Sequence, residues 1–169
     1  TARQINYSAY LFYSTITQIK TISSKESKIR NEILKSIQKK IKKLQSHSHF
    51  APQNFMNKYL LLLALLDEYE GRMNQAMGRF LESIKYAKEA GFICEEAIGR
   101  ELFSQFLLKA GEKEYGEMML NVAYQCYNSW GANNKCQQLV KLFPQILGNQ
   151  ADFGKESTIA SFQNIFDLN

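Results

Sequence analysis

Between Gln53 and Gly131 one pattern is written twice: Leu62, Leu66, Gly71, Phe80 and Gly91 recur as Leu102, Phe106, Gly111, Leu120 and Gly131, each offset by 40 residues. A period of this size, with one glycine between two helical stretches and another closing the unit, is how stacked helix pairs look in sequence. Each unit reads as two helices, about Gln53–Glu70 and Met73–Ala90, then Cys94–Ala110 and Lys113–Trp130. Gly71 and Gly111 are expected to reverse the chain, because glycine alone enters the left-handed conformation at a helix end without a Cβ penalty. Ala76 and Gly116 hold equivalent places in the second helices and would let neighbours approach closely. Neither helix of a unit can bury its apolar face alone, so the stack must continue on both sides.

The flanks supply that continuation. Tyr7 to about Ile22 shows helical spacing, and a second helix over 26–44 carries the stripe Ile29, Ile33, Ile37, Ile41 and Leu44. Ser23 and Ser24 offer its N-cap, Glu26 falls in its first turn, and Lys39, Lys40, Lys42 and Lys43 gather at its expected carboxyl end. Gln45 to Pro52 reads as a polar connection, with Pro52 suited to open the next helix. Asn134 to about Leu142 reads as a last packed helix before Pro144. Only two prolines and nine glycines interrupt the chain, which favours long helices over many short strands. The expected fold is all-α, a tetratricopeptide-like stack of antiparallel helix pairs (an α-solenoid) over residues 1–144. Residues 145–169 are expected to form a linker and the start of a connector helix, Ser157 to Leu168, with Ile159, Phe162, Ile165 and Phe166 at helical spacing.

The net charge of +5 belongs to one segment. Lys20 to Lys43 has a local balance of +7, which leaves the remainder near neutral at −2. A domain-wide basic face is therefore not implied, and no aromatic residue interrupts the run from Lys25 to Lys43 to stack on bases. Cys94, Cys126 and Cys136 form no CxxC pair, so neither a disulfide framework nor a zinc site is indicated, and Cys126 and Cys136 read as buried apolar groups. His47 and His49 lack a third ligand and read as an exposed loop pair. Trp130 is expected to pack on the helix that follows it. Leu60 to Leu66, the longest apolar run, is far short of the roughly 20 residues a membrane span needs, and no signal peptide opens the chain. It begins on Thr1 rather than a methionine, so a piece of a longer protein is expected. No phosphate loop or catalytic constellation is present, which leaves catalytic, cofactor and metal sites as none.

The segments PQNFMNKYLLLLALL (Pro52–Leu66), EAGFICEEAIGREL (Glu89–Leu102) and NSWGANNKCQQLVKLFP (Asn128–Pro144) resemble the helical region of large multidomain signalling kinases. Trp130, Gly131, Ala132, Lys135 and the closing Pro144 are its most specific residues, and the similarity covers about residues 26 to 144. In that family a protein-kinase-like domain and an AAA/STAND-type ATPase precede this region, and a GAF domain and often a sensor histidine kinase follow it. The resemblance implies a non-catalytic interaction and coupling module in a cytoplasmic signalling protein. Its partner would be a protein or the neighbouring domains of the same chain. First helices of the pairs would line the groove, which makes Asn57, Lys58, Glu101 and Gln105 the candidate contacts. The polar Asn121, Gln125 and Asn128 leave one side of their helix open for further contact. The alternative is a nucleic-acid or anionic-membrane surface built from Lys35, Lys39, Lys40, Lys42 and Lys43, disfavoured because solvated helix faces commonly carry such runs.

Overall fold

A computed structural model describes residues 2–148, with side chains from Tyr7 onward. The described residues are all-helical, without a strand. In order they form α1 (Ala2–Thr21), a 3-10 turn (Ile22–Ser24), α2 (Ser27–Phe50), α3 (Pro52–Tyr69), α4 (Met73–Glu89), α5 (Ile93–Ala110), α6 (Lys113–Ser129), α7 (Asn133–Leu142) and α8 (Pro144–Leu147). Each helix packs on the next, most extensively α3 on α4 and α5 on α6, and α3 also touches α1 and α5. The duplicated stretch thus forms the four helices its pattern predicts, with ends shifted by one residue. The expected connector beyond Gly148 lies outside the described residues.

The reversals repeat one geometry. Gly71, Gly91, Gly111 and Gly131 have φ of 78°, 71°, 90° and 82°, and no other described residue type has positive φ. At each, the following residue donates its N–H five residues back: Arg72 to Asp67, Phe92 to Ala87, Glu112 to Leu107 and Ala132 to Tyr127, at 2.8–2.9 Å. These are Schellman closures, which satisfy carbonyls that a helix end otherwise leaves open. That same donor residue, with φ −80° to −84° and ψ 56–73°, turns the chain into the next helix.

The interior divides in two. A larger core joins Phe12, Ile19 and Ile22 to Ile37, Ile41, Leu44, Leu61, Leu62, Leu65, Phe80, Phe103 and Phe106. Within it the rings of Phe80, Phe103 and Phe106 lie 5.3–6.1 Å apart. A smaller core at the carboxyl end gathers Ala97, Leu120, Tyr127, Cys136, Leu139 and Leu147. The expected close approach is realised at Gly116, where a Cβ would meet Leu108 at 2.8 Å and where Ser104 Oγ donates to the Gly116 carbonyl at 2.7 Å.

Several local expectations are corrected. Helix α2 does not end near Leu44 but runs to Phe50, so Ala51 alone separates it from α3. Tertiary contacts outweigh the polar local sequence there: Ser48 is buried, His47 Nδ1 lies 3.0 Å from Ser8 Oγ, and the His47 ring lies 5.5 Å from Phe55. His47 and His49 are therefore helical, not a loop pair. The lysines at 39–43 sit mid-helix, away from the negative end of the dipole. Ser23 and Ser24 do not cap α2, since they belong to the 3-10 turn and Glu26 holds the N-cap position. Trp130 stays 54% exposed rather than packing on α7. Past Pro144 the chain makes one more helical turn, α8, which buries Leu147.

The reversals yield a prediction. Gly111 and Gly78 both have open space where a Cβ would stand, but only Gly111 has a left-handed backbone. Gly111→Ala should lower stability by about 1–2 kcal/mol, the strain of a left-handed L-residue. Gly78→Ala, inside α4, should raise it by about 0.5–1 kcal/mol. Urea denaturation followed by circular dichroism reads both, and equal effects would contradict the assignment.

Candidate partner-binding surface

Asn57 and Lys58 lie in the first half of α3, and Glu101 and Gln105 lie one turn apart on α5, a helix that touches α3. Their side chains are largely engaged within the chain. Lys58 Nζ pairs with Glu95 at 2.9 Å and sits 4.7 Å from the centre of the Phe92 ring. Glu101 is buried and accepts from Tyr127 Oη at 2.8 Å and Lys135 Nζ at 2.9 Å. Gln105 donates to Glu101 at 3.4 Å and accepts from Lys20 Nζ at 3.2 Å. One carboxylate and its neighbour thus tie α5 to α6, α7 and α1. Asn57 differs: it is buried, and neither its Nδ2 nor its Oδ1 has a hydrogen-bond partner.

Electrostatics at this surface favour neutral phenols and thiols. Burial, and then the Glu101 carboxylate, push the Tyr127 hydroxyl well above its usual range, so it remains a donor to Glu101. Burial likewise raises Tyr13, whose neighbours are Cys94 and Glu95. Cys94 is raised by burial and by Glu95, and burial pushes Cys126 up to about 11. A thiol held protonated is a poor nucleophile. Among the described residues no three His, Cys, Asp or Glu side chains gather as a metal site, and no helix is long and apolar enough to cross a membrane.

The lysine-rich helix gains neighbours that its own sequence lacks. Lys35, Lys39, Lys42 and Lys43 are exposed, while Lys40 is half-buried and donates to Ser14 Oγ and Gln18 Oε1, both at 3.0 Å. Tyr7 and Tyr10 of α1 are brought beside them, with Lys43 Nζ 4.5 Å and Lys40 Nζ 5.6 Å from the ring centres. The absence of aromatics within the run itself therefore does not describe the folded surface. The tyrosines at three-residue spacing on α1 were the available signal. Tyr127 and Glu95 were also missed as partners of the α3 and α5 positions, because both pairings depend on how separate helices pack.

Two shallow grooves complete the surface. One of about 520 Å³ lies between α4, α5 and α6, and includes Leu81, Ile84, Arg100, Tyr115 and Met119. The other, of about 460 Å³, lies between α6 and α7 and includes Tyr124, Asn128, Cys136 and Val140.

Comparison with known proteins gives one signalling relative. The chain is 33% identical over 107 residues, 63% of its length, to Hybrid signal transduction histidine kinase G of Dictyostelium discoideum. It spans 3% of the length of that relative. No family model and no solved structure matches the chain. What the comparison supports is a link to signal-transduction kinases through a short helical stretch.

Proposed function

We propose that this chain is a tetratricopeptide-like helical-repeat module that makes protein contacts and couples neighbouring domains in a cytoplasmic signalling kinase, without catalysis of its own. The observation that carries the reading is the Glu101 cluster. Through Tyr127, Lys135, Gln105 and Lys20 it joins four helices by side-chain bonds, buried at Tyr127 and reaching the surface at Lys20, so a load on α7 is passed to α1 through directional polar contacts as well as apolar faces. The repeated closures at 20-residue intervals support a stack, and the histidine-kinase relative supports the signalling setting.

A second reading retains the basic face, now with Tyr7 and Tyr10 beside Lys43 and Lys40, as a surface for nucleic acid or anionic lipid. Ionic strength separates the two. A labelled single-stranded oligothymidine or vesicles rich in phosphatidylserine should bind the chain no more than weakly at physiological salt. Tight binding whose logarithm falls steeply with the logarithm of salt would favour the second reading.

Two substitutions test the coupling surface. Glu101→Gln keeps an acceptor for Tyr127 but removes the ion pair with Lys135. It should lower stability by about 1–3 kcal/mol in urea denaturation. In the full-length kinase it should change the regulation of autophosphorylation, and a variant that regulates normally argues against coupling through this cluster. Asn57→Leu should stabilise the isolated chain by about 1 kcal/mol, because it removes an unpaired buried amide. A variant that is destabilised instead would show that the buried amide is paired in the folded chain.

A further inference from the structure

The groove between α4, α5 and α6 holds a charge that the repeat does not require. Leu60, Arg100 and Val140 stand at 40-residue intervals, so an arginine occupies a place where the neighbouring first helices carry aliphatic side chains. Arg100 is only 8% exposed. Its Nε and Nη2 donate to one oxygen of Glu96, at 2.9 Å and 2.7 Å. Its Nη1 turns instead to the Met119 sulfur at 3.6 Å, on the wall of the groove. A thioether is a weak acceptor, whereas a cationic donor makes its strongest bonds to a carboxylate oxygen.

The rim has the same sign. Lys85 and Lys88 join Arg100 along the groove, and Glu89 is the one carboxylate among the lining residues. Glu89 meets Lys85 at 3.9 Å with both side chains mostly in solvent, a pairing that holds neither firmly. The rest of the lining is apolar or aromatic, and Leu81 continues a row on α4 formed by Met73, Met77 and Leu81 at four-residue spacing, each 37–43% exposed. Their counterparts on α6 are Lys113, Glu117 and Asn121, all polar. Packing of the duplicated helices therefore does not account for an exposed apolar row that runs into a cationic end.

We infer that this groove docks an amphipathic segment of a partner protein, with apolar side chains along Met77 and Leu81 and Asp or Glu side chains at Arg100, Lys85 and Lys88. Charge complementarity selects the acidic end, and the apolar row selects the rest. A phosphate backbone or a lipid headgroup would use the cations but leave Met77 and Leu81 in water. From Met77 to Lys88 the track runs about 16 Å along α4, at 1.5 Å per residue, which three turns of a partner helix span. The inference rests on the protein-contact part of the proposed function and not on coupling through Glu101, which the Glu101→Gln variant tests separately.

Two fluorescein-labelled helical peptides test it on the full 169-residue chain, one with leucines at four-residue spacing followed by two turns of glutamates, the other with that order reversed. By fluorescence anisotropy at physiological salt, one of them should bind with a Kd of about 100 µM or below. Its counterpart with lysines for glutamates should bind at least about 10-fold more weakly. Leu81→Asp and Lys85→Glu change exposed side chains and should each weaken binding at least about 5-fold at an unchanged urea midpoint. Lys39→Glu, on the basic face of α2, should leave it unchanged. No binding of either peptide at about 1 mM overturns the inference. So does equal binding of the glutamate and lysine forms, or a loss with Lys39→Glu that the groove variants do not show. Oligothymidine or phosphatidylserine vesicles that bind more tightly than the peptide, and lose binding in Lys85→Glu, would assign the groove to phosphate and also overturn it. If Leu81→Asp shifts the urea midpoint, Lys85→Glu decides alone.

Discussion

Four left-handed glycines, spaced every 20 residues from Gly71 to Gly131, are the constraint on which the rest of the fold depends. A left-handed residue with a side chain strains its backbone by about 1–2 kcal/mol, so these positions set where each helix stops. The five-residue closures then occupy the open carbonyls, and the residue that donates each closure also redirects the chain. The helices from α3 to α6 are consequently all 17 or 18 residues long. Helices of equal length laid against one another keep their apolar faces in step, which lets Phe80 of one pair stack on Phe103 and Phe106 of the next.

The polar interior is as specific as the apolar one. Asp67, at the end of α3, is fully buried and receives both Arg72 and Arg79, fastening the turn at Gly71. Its counterpart one repeat later is Leu107, a plain core residue. Glu101 plays a longer-range part, holding Tyr127 and Lys135 from two other helices. Buried charges stabilise little in net terms once desolvation is counted, but they penalise any packing that leaves them unpaired. The two units are alike in backbone and different in polar wiring, which distinguishes the stack's two ends.

Much of this was legible in the chain of residues. Glycine spacing located every reversal from α3 to α7, because the left-handed conformation has a single good candidate among the residue types. Pro52 opened its helix as expected, and Gly116 gave the close approach that its missing side chain allows. Polar segments were read less well. Gln45 to Ser48 looked like a connection, yet they are helical because Ser8 and Phe55 hold them from outside. That Lys58 meets Glu95, or Glu101 meets Tyr127, is invisible to local spacing.

The sequence by itself determined the all-helical class, the helix lengths in the duplicated part and the apolar faces, since these follow from backbone preference and from 3.6-residue periodicity within one segment. Only the tertiary structure decided which polar groups are buried, how far α2 extends, and that Tyr7 and Tyr10 stand over Lys43 and Lys40. Those outcomes depend on contacts between residues tens of positions apart. Their energies come from the packed environment, which no local window of the chain contains.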